Sequence, residues 1–114
     1  MPRISIQSAK AKGRRLQQAV RDLLLSIRPQ LEPDDVRSCP MGSQGADIIL
    51  SPAGKRALPY SVECKAKANG FTPVYAALEQ AERGDGLTPV AFMKQDRRPI
   101  VVAMYADDWL KLIT

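Results

Sequence analysis

Leu16, Ala19, Val20, Leu23, Leu24 and Ile27 recur at i, i+3, i+4, i+7, i+8 and i+11. That spacing predicts an amphipathic helix with one apolar stripe, closed by Pro29. Residues 1–10 are expected to form a flexible basic arm ahead of one domain over 11–114. Turn-forming residues fill Pro29 to Gly45, leaving room for a short strand around Val36. Asp47 to Leu50 reads as a strand, Ser51 to Lys55 as a turn, and Leu58 to Lys67 as a second strand with Pro59 near its start. Alternation along that strand assigns Ser61, Glu63, Lys65 and Lys67 to one face and Val62, Cys64 and Ala66 to the other.

Asn69-Gly70 breaks the second strand. Thr72 is expected to N-cap a helix with Pro73 at its first position. Val74, Ala77, Leu78 and Ala81 form its apolar stripe, and Gly84 and Gly86 end it. Leu87 to Met93 reads as a third strand and Gln95 to Arg98 as a turn. Ile100 to Tyr105 reads as a fourth strand, whose almost unbroken apolar run predicts burial on both faces. Asp107 or Asp108 is expected to cap a last helix carrying Trp109, Leu110, Leu112 and Ile113. Strands joined by short turns pair antiparallel, and the helical crossover between the second and third favours parallel pairing. The order α-β-β-α-β-β-α therefore predicts an α/β fold, a small mixed central sheet flanked by helices.

Composition narrows the chemistry. The 114 residues suit one small domain, and at 45 % apolar they can build a core. No apolar run is long enough for a membrane span, and the N-terminus lacks a signal-peptide core. Cys39 and Cys64 have neither metal-binding nor redox spacing, so a reduced, cytoplasmic protein is expected. The absence of histidine excludes His-dependent triads, zincins and HNH-type nucleases. Any metal site must use oxygen ligands, which favours Mg²⁺ or Mn²⁺. The net charge is +5. Arg3, Lys10, Lys12, Arg14 and Arg15 all precede the first acid, Asp22. This suits a polyanionic partner such as nucleic acid, and equally a solvated basic face.

Acidic and basic side chains among apolar strand residues are costly unless they pair, bind a metal or do chemistry. Asp47 on one arm of the predicted hairpin faces Glu63 and Lys65 on the other. Two carboxylates and the backbone carbonyl of Cys64 supply hard oxygen donors, with an ammonium group beside them. Read singly, Asp47 fits a strand end, and Glu63 with Lys65 fits a solvated face or an ion pair. Lys67 fits a phosphate contact or a solvated strand end. Trp109, Leu110 and Ile113 fit a core or dimer contact.

Gly45-Ala46-Asp47, a hairpin, then Glu63-Cys64-Lys65 resembles the PD-(D/E)xK nuclease superfamily. Within it the chain is similar to small phage-borne and archaeal Holliday junction resolvase-like proteins. Lys12-Gly13 before the first helix, Glu79-Gln80-Ala81 in a later helix, and Arg97-Arg98-Pro99 before the last strand extend the likeness to nearly the whole chain. The resemblance implies a restriction-endonuclease-like core and a Mg²⁺- or Mn²⁺-dependent DNA endonuclease, with Asp47 and Glu63 as metal ligands and Lys65 as the catalytic lysine. It implies second-tier roles for Gln80, near water or phosphate, and Ser43, near the scissile phosphate. Relatives carry a Glu four residues after the Gly of the first helix, where this chain has Gln17, a neutral acceptor. Gln17 and Gln80 otherwise read as surface or cap residues, and Glu79 or Glu82 could supply the missing charge. Lys10, Lys12, Arg14, Arg15 and Lys67 are expected to hold DNA phosphates without reading sequence. The implied partner is branched or duplex DNA in the cytoplasm of a bacterial or phage-infected cell. A homodimer is expected where paired cuts are made at a four-way junction. The alternative is a non-catalytic DNA-binding module that keeps the fold.

Overall fold

The structure, a computed structural model, describes residues 6–40 and 45–114, and side chains from Ser8 onward. The chain is mixed α/β, with four α-helices and two small antiparallel sheets among the described residues, in two compact units, Met1–Lys67 and Ala68–Thr114.

In the first unit, α1 (Ile6–Ser26) packs on β1 (Val36–Ser38), which pairs antiparallel with β2 (Ile48–Leu50). Helix α1 starts at Ile6, so residues 6–10 continue the helix instead of forming a flexible arm. Lys10, Lys12, Arg14 and Arg15 therefore ride on helical turns. The helix stops three residues before Pro29, and Arg21 ties its inner face to the sheet. Its Nε donates to the Val36 carbonyl at 2.8 Å and its Nη2 to the Pro33 carbonyl at 3.0 Å. Leu24, Val36, Ile48 and Leu58 are buried, Val36 and Leu58 almost completely. Burying side chains of this size contributes about 1.5–3 kcal/mol each.

Where a turn was expected after β2, the chain makes a short helix, α2 (Pro52–Ala57). Ser51 caps it: its hydroxyl accepts the Gly54 N–H at 3.0 Å and donates to Asp35 Oδ1 at 2.6 Å, while its own N–H reaches the Asp35 carbonyl. Pro52, at the first turn, has no N–H to lose. Gly54 lies under the Asp35 carbonyl, where a Cβ would collide.

The expected second strand, 58–67, forms no ladder, although exposure alternates along 61–67 as predicted: 61, 63, 65 and 67 are exposed and 62, 64 and 66 half-buried. A side chain takes the next ladder position. Asp47 N–H donates to the Val62 carbonyl at 2.9 Å, but the Cys64 N–H goes to the Asp47 carboxylate, and the Asp47 carbonyl is already taken by the Cys39 N–H.

The second unit holds α3 (Thr72–Ala81), a hairpin of β3 (Ala91–Met93) and β4 (Val101–Ala103), and α4 (Ala106–Ile113). Helix α3 packs on β3, and Leu78, Ala91 and Leu110 are buried. Thr72 lies inside α3 and not at its cap. Phe71 holds that position with no side-chain bond, and Pro73 sits in the first turn. The N-cap of α4 is Tyr105. Asp107 and Asp108 occupy the first turn, where negative charge meets the positive end of the helix dipole. Val101 and Val102 are 58 % and 59 % exposed, so the fourth strand is not buried on both faces. Among the described residues its one strand neighbour is β3. The pairings among these residues are both antiparallel, in two separate ladders; the expected mixed sheet, with a parallel contact between the second and third strands, is not among them. No helix among the described residues is long and apolar enough to cross a membrane.

Candidate metal and phosphate site in the first unit

Asp47 is held on three sides. Gly45, with φ of 103°, turns the chain into β2 through a conformation that favours glycine. The Asp47 carbonyl accepts the Cys39 N–H at 2.8 Å and its N–H donates to Val62 at 2.9 Å. Its Oδ2 accepts the Cys64 N–H at 2.6 Å, a short charge-assisted bond that aims the carboxylate at segment 61–67. Among the described residues Oδ1 has no hydrogen-bond partner.

Glu63 and Lys65 lie two residues apart on the exposed side of that segment, Nζ 3.6 Å from Oε2. Both side chains are more than 60 % exposed, so the pair adds little stability and remains available to a ligand. The half-buried Cys64 between them reports on both carboxylates. Burial pushes its thiol above the usual range, and the charges of Asp47 and Glu63 push it further the same way. Both acids therefore act on the Cys64 thiol, and Asp47 alone is hydrogen-bonded to the Cys64 backbone.

Gln17 departs from the surface role expected of it. It is 6 % exposed, and its Oε1 accepts the Ser38 hydroxyl at 2.9 Å. Ser38 precedes Cys39, whose N–H binds Asp47, so Gln17 supports the strand next to the Asp47 backbone. The periodicity already held the signal: Gln17, Val20 and Leu24 stand at i, i+3 and i+7. Ser38 and Cys39 carried no such signal, because their role depends on the β1–β2 register. At 100° per residue, Lys10 and Arg14 fall within roughly 60° of Gln17, while Lys12 and Arg15 lie on another side of α1. Lys10, Arg14 and Arg15 are exposed, Lys12 is half-buried, and Lys67 ends the exposed row of Glu63 and Lys65. Gln80 is exposed on α3 in the second unit, with Glu79 and Glu82 exposed nearby. Ser43 lies outside the described residues.

No group of three or more His, Cys, Asp or Glu side chains among the described residues could hold a metal ion. A cation here would rest on two carboxylates and a main-chain carbonyl. That donor set suits Mg²⁺, which keeps several waters and needs few protein ligands. No family model, curated protein or solved structure matches the chain.

Proposed function

We propose that this chain is a Mg²⁺- or Mn²⁺-dependent DNA endonuclease of PD-(D/E)xK type, selective for branched or duplex DNA in the manner of a Holliday junction resolvase. The observation that carries the reading is the Asp47 carboxylate bound to the Cys64 N–H between Glu63 and Lys65. Asp47, Glu63 and the Cys64 carbonyl would hold the metal. When bound, the metal supplies an activated water and stabilises charge on the scissile phosphate. The Lys65 ammonium, exposed beside Glu63, neutralises phosphate charge and orients the attacking water by a hydrogen bond. Lys10 and Arg14 lead phosphates along α1 toward Gln17, while Lys12, Arg15 and Lys67 add sequence-independent attraction. Gln80 and Ser43 take the second-tier roles that the resemblance implies. The restriction-endonuclease-like core, a homodimer on junction DNA and a cytoplasmic location belong to the same reading.

The test is a panel of labelled four-way, flap, duplex and single-stranded DNAs with Mg²⁺, Mn²⁺ or EDTA. Metal-dependent cutting of the branched or duplex members is the expected result. One observation favours the second reading, a DNA-binding module without catalysis: Gln17 brings no charge, and its oxygen is already engaged by Ser38. Salt-sensitive, metal-independent binding with no cutting of any substrate would select it.

A further inference from the structure

The turn between β3 and β4 gathers Lys94, Arg97 and Arg98 within five residues, with Asp96 as the one acid. All four are exposed. Among the described residues none of the three cations is in an ion pair such as Arg21–Asp22 or Glu63–Lys65. Among the described residues neither guanidinium makes a hydrogen bond, and Lys94 Nζ has one long contact, 3.5 Å to the Gln95 carbonyl.

The backbone here is unusual as well. Arg97 has φ of 64°, in the left-handed region, whereas the other described residues with positive φ are glycines 45, 70, 84 and 86. A turn selected only to reverse the chain would place Gly or Asn there. Arg98 N–H closes the turn on the Gln95 carbonyl at 3.0 Å. Lys94 and Arg98 also border a cavity of about 710 Å³ walled by Val74, Met93, Pro99 and Val101. The cations thus stand beside an apolar hollow, on a hairpin whose strands hold them in place.

Two exposed guanidinium forks and an ammonium with one long contact suit the oxygens of a phosphate, which the forks can bind in pairs and the ammonium can neutralise. We infer that this turn is a second phosphodiester-binding site, carried by the second unit, that grips the DNA backbone through its own cations. Arg97 is retained in a strained conformation for its charge, and the apolar hollow accepts the sugar face beside the bound phosphate. This inference rests on the nuclease reading for its choice of nucleic acid as the polyanion.

The experiment is fluorescence anisotropy of a labelled duplex in EDTA over a series of NaCl concentrations, with the full chain and its Arg97→Asn, Arg98→Gln, Lys94→Gln and Arg97→Gly variants. Each is expected to bind several-fold more weakly and to lower the slope of log affinity against log salt by about 1. Arg97→Gly is expected to do so while its melting midpoint holds or rises, because it relieves the positive φ. Wild-type affinity and slope in all of these variants would overturn the inference. So would an Arg97→Gly protein that melts lower and binds DNA normally, since Arg97 would then be structural. If the wild type cuts DNA and the turn variants bind it normally, the turn fails and the nuclease reading stands. If the wild type binds neither the duplex nor a labelled four-way junction at any salt concentration, the nuclease reading falls and this inference with it.

Discussion

Replacing Asp47 by Ala removes the acceptor that ties segment 61–67 to β2. The bond is 2.6 Å, from a part-buried N–H to a carboxylate, and it bridges seventeen residues of chain. Hydrogen bonds to charged groups contribute about 1.5–3 kcal/mol, and an orphaned N–H has no water to replace its partner fully. A loss of about 2 kcal/mol is therefore expected, roughly 30-fold in the folding equilibrium. With a urea dependence of about 1.5 kcal/mol per molar, the midpoint falls by roughly 1.3 M. Asp47→Asn keeps a carbonyl acceptor without charge and should lose about half as much. Urea titration followed by far-ultraviolet circular dichroism ranks the three proteins. Amide hydrogen exchange supplies the local readout, with the Cys64 N–H exchanging faster in the Ala variant than in the Asn variant. Wild-type midpoints and unchanged exchange at Cys64 would refute this account of how the site is held.

Three further outcomes follow from the same geometry. Asp47→Asn and Glu63→Gln should each bring the Cys64 thiol down toward its ordinary range and speed its alkylation at mildly alkaline pH. Unchanged rates would mean that the carboxylates do not act on Cys64. Gln17→Leu should cost about 1–2 kcal/mol by orphaning the Ser38 hydroxyl, and Gln17→Leu with Ser38→Ala should recover most of it; strictly additive urea midpoints would show that the two are uncoupled. The Ser51 hydroxyl and the Glu32 N–H hold the Asp35 carboxyl below its usual range. Its contribution is therefore complete above about pH 4 and fades as pH falls through the lower folded value. Asp35→Asn should flatten the acid limb of stability against pH, and urea midpoints that keep the wild-type acid slope would argue against that.

The first helix was legible because its apolar stripe runs for three turns, long enough for the 3.6-residue period to stand out. Its start was not, since residues 6–10 carry no stripe and follow the helix by propagation. Helix α2 was missed because Ser51-Pro52 opens a turn and a short helix with the same residues. What decides between them is the bond from Ser51 to Asp35, sixteen residues away. The alternation of Ser61 to Lys67 correctly assigned faces. It could not reveal that a carboxylate replaces a backbone carbonyl beside Cys64. That Asp47 would meet the 61–67 segment was legible in outline, and its bond to the Cys64 N–H supplies that contact. Gln17 was misread because charge patterning places a polar residue outside, whereas a partner on β1 made its burial affordable. The positive φ at Arg97 had no sequence sign, as neither Gly nor Asn marks it.

The proposed function requires Asp47, Glu63 and Lys65 to work as one centre on DNA phosphates. Cutting and binding of a labelled four-way junction should be followed in the same samples, with Mn²⁺, for the wild type, Asp47→Asn and Lys65→Ala. All three are expected to bind the junction, and the wild type alone to cut it. Cutting by either variant at the wild-type rate, or a wild type that binds without cutting, would contradict the proposal.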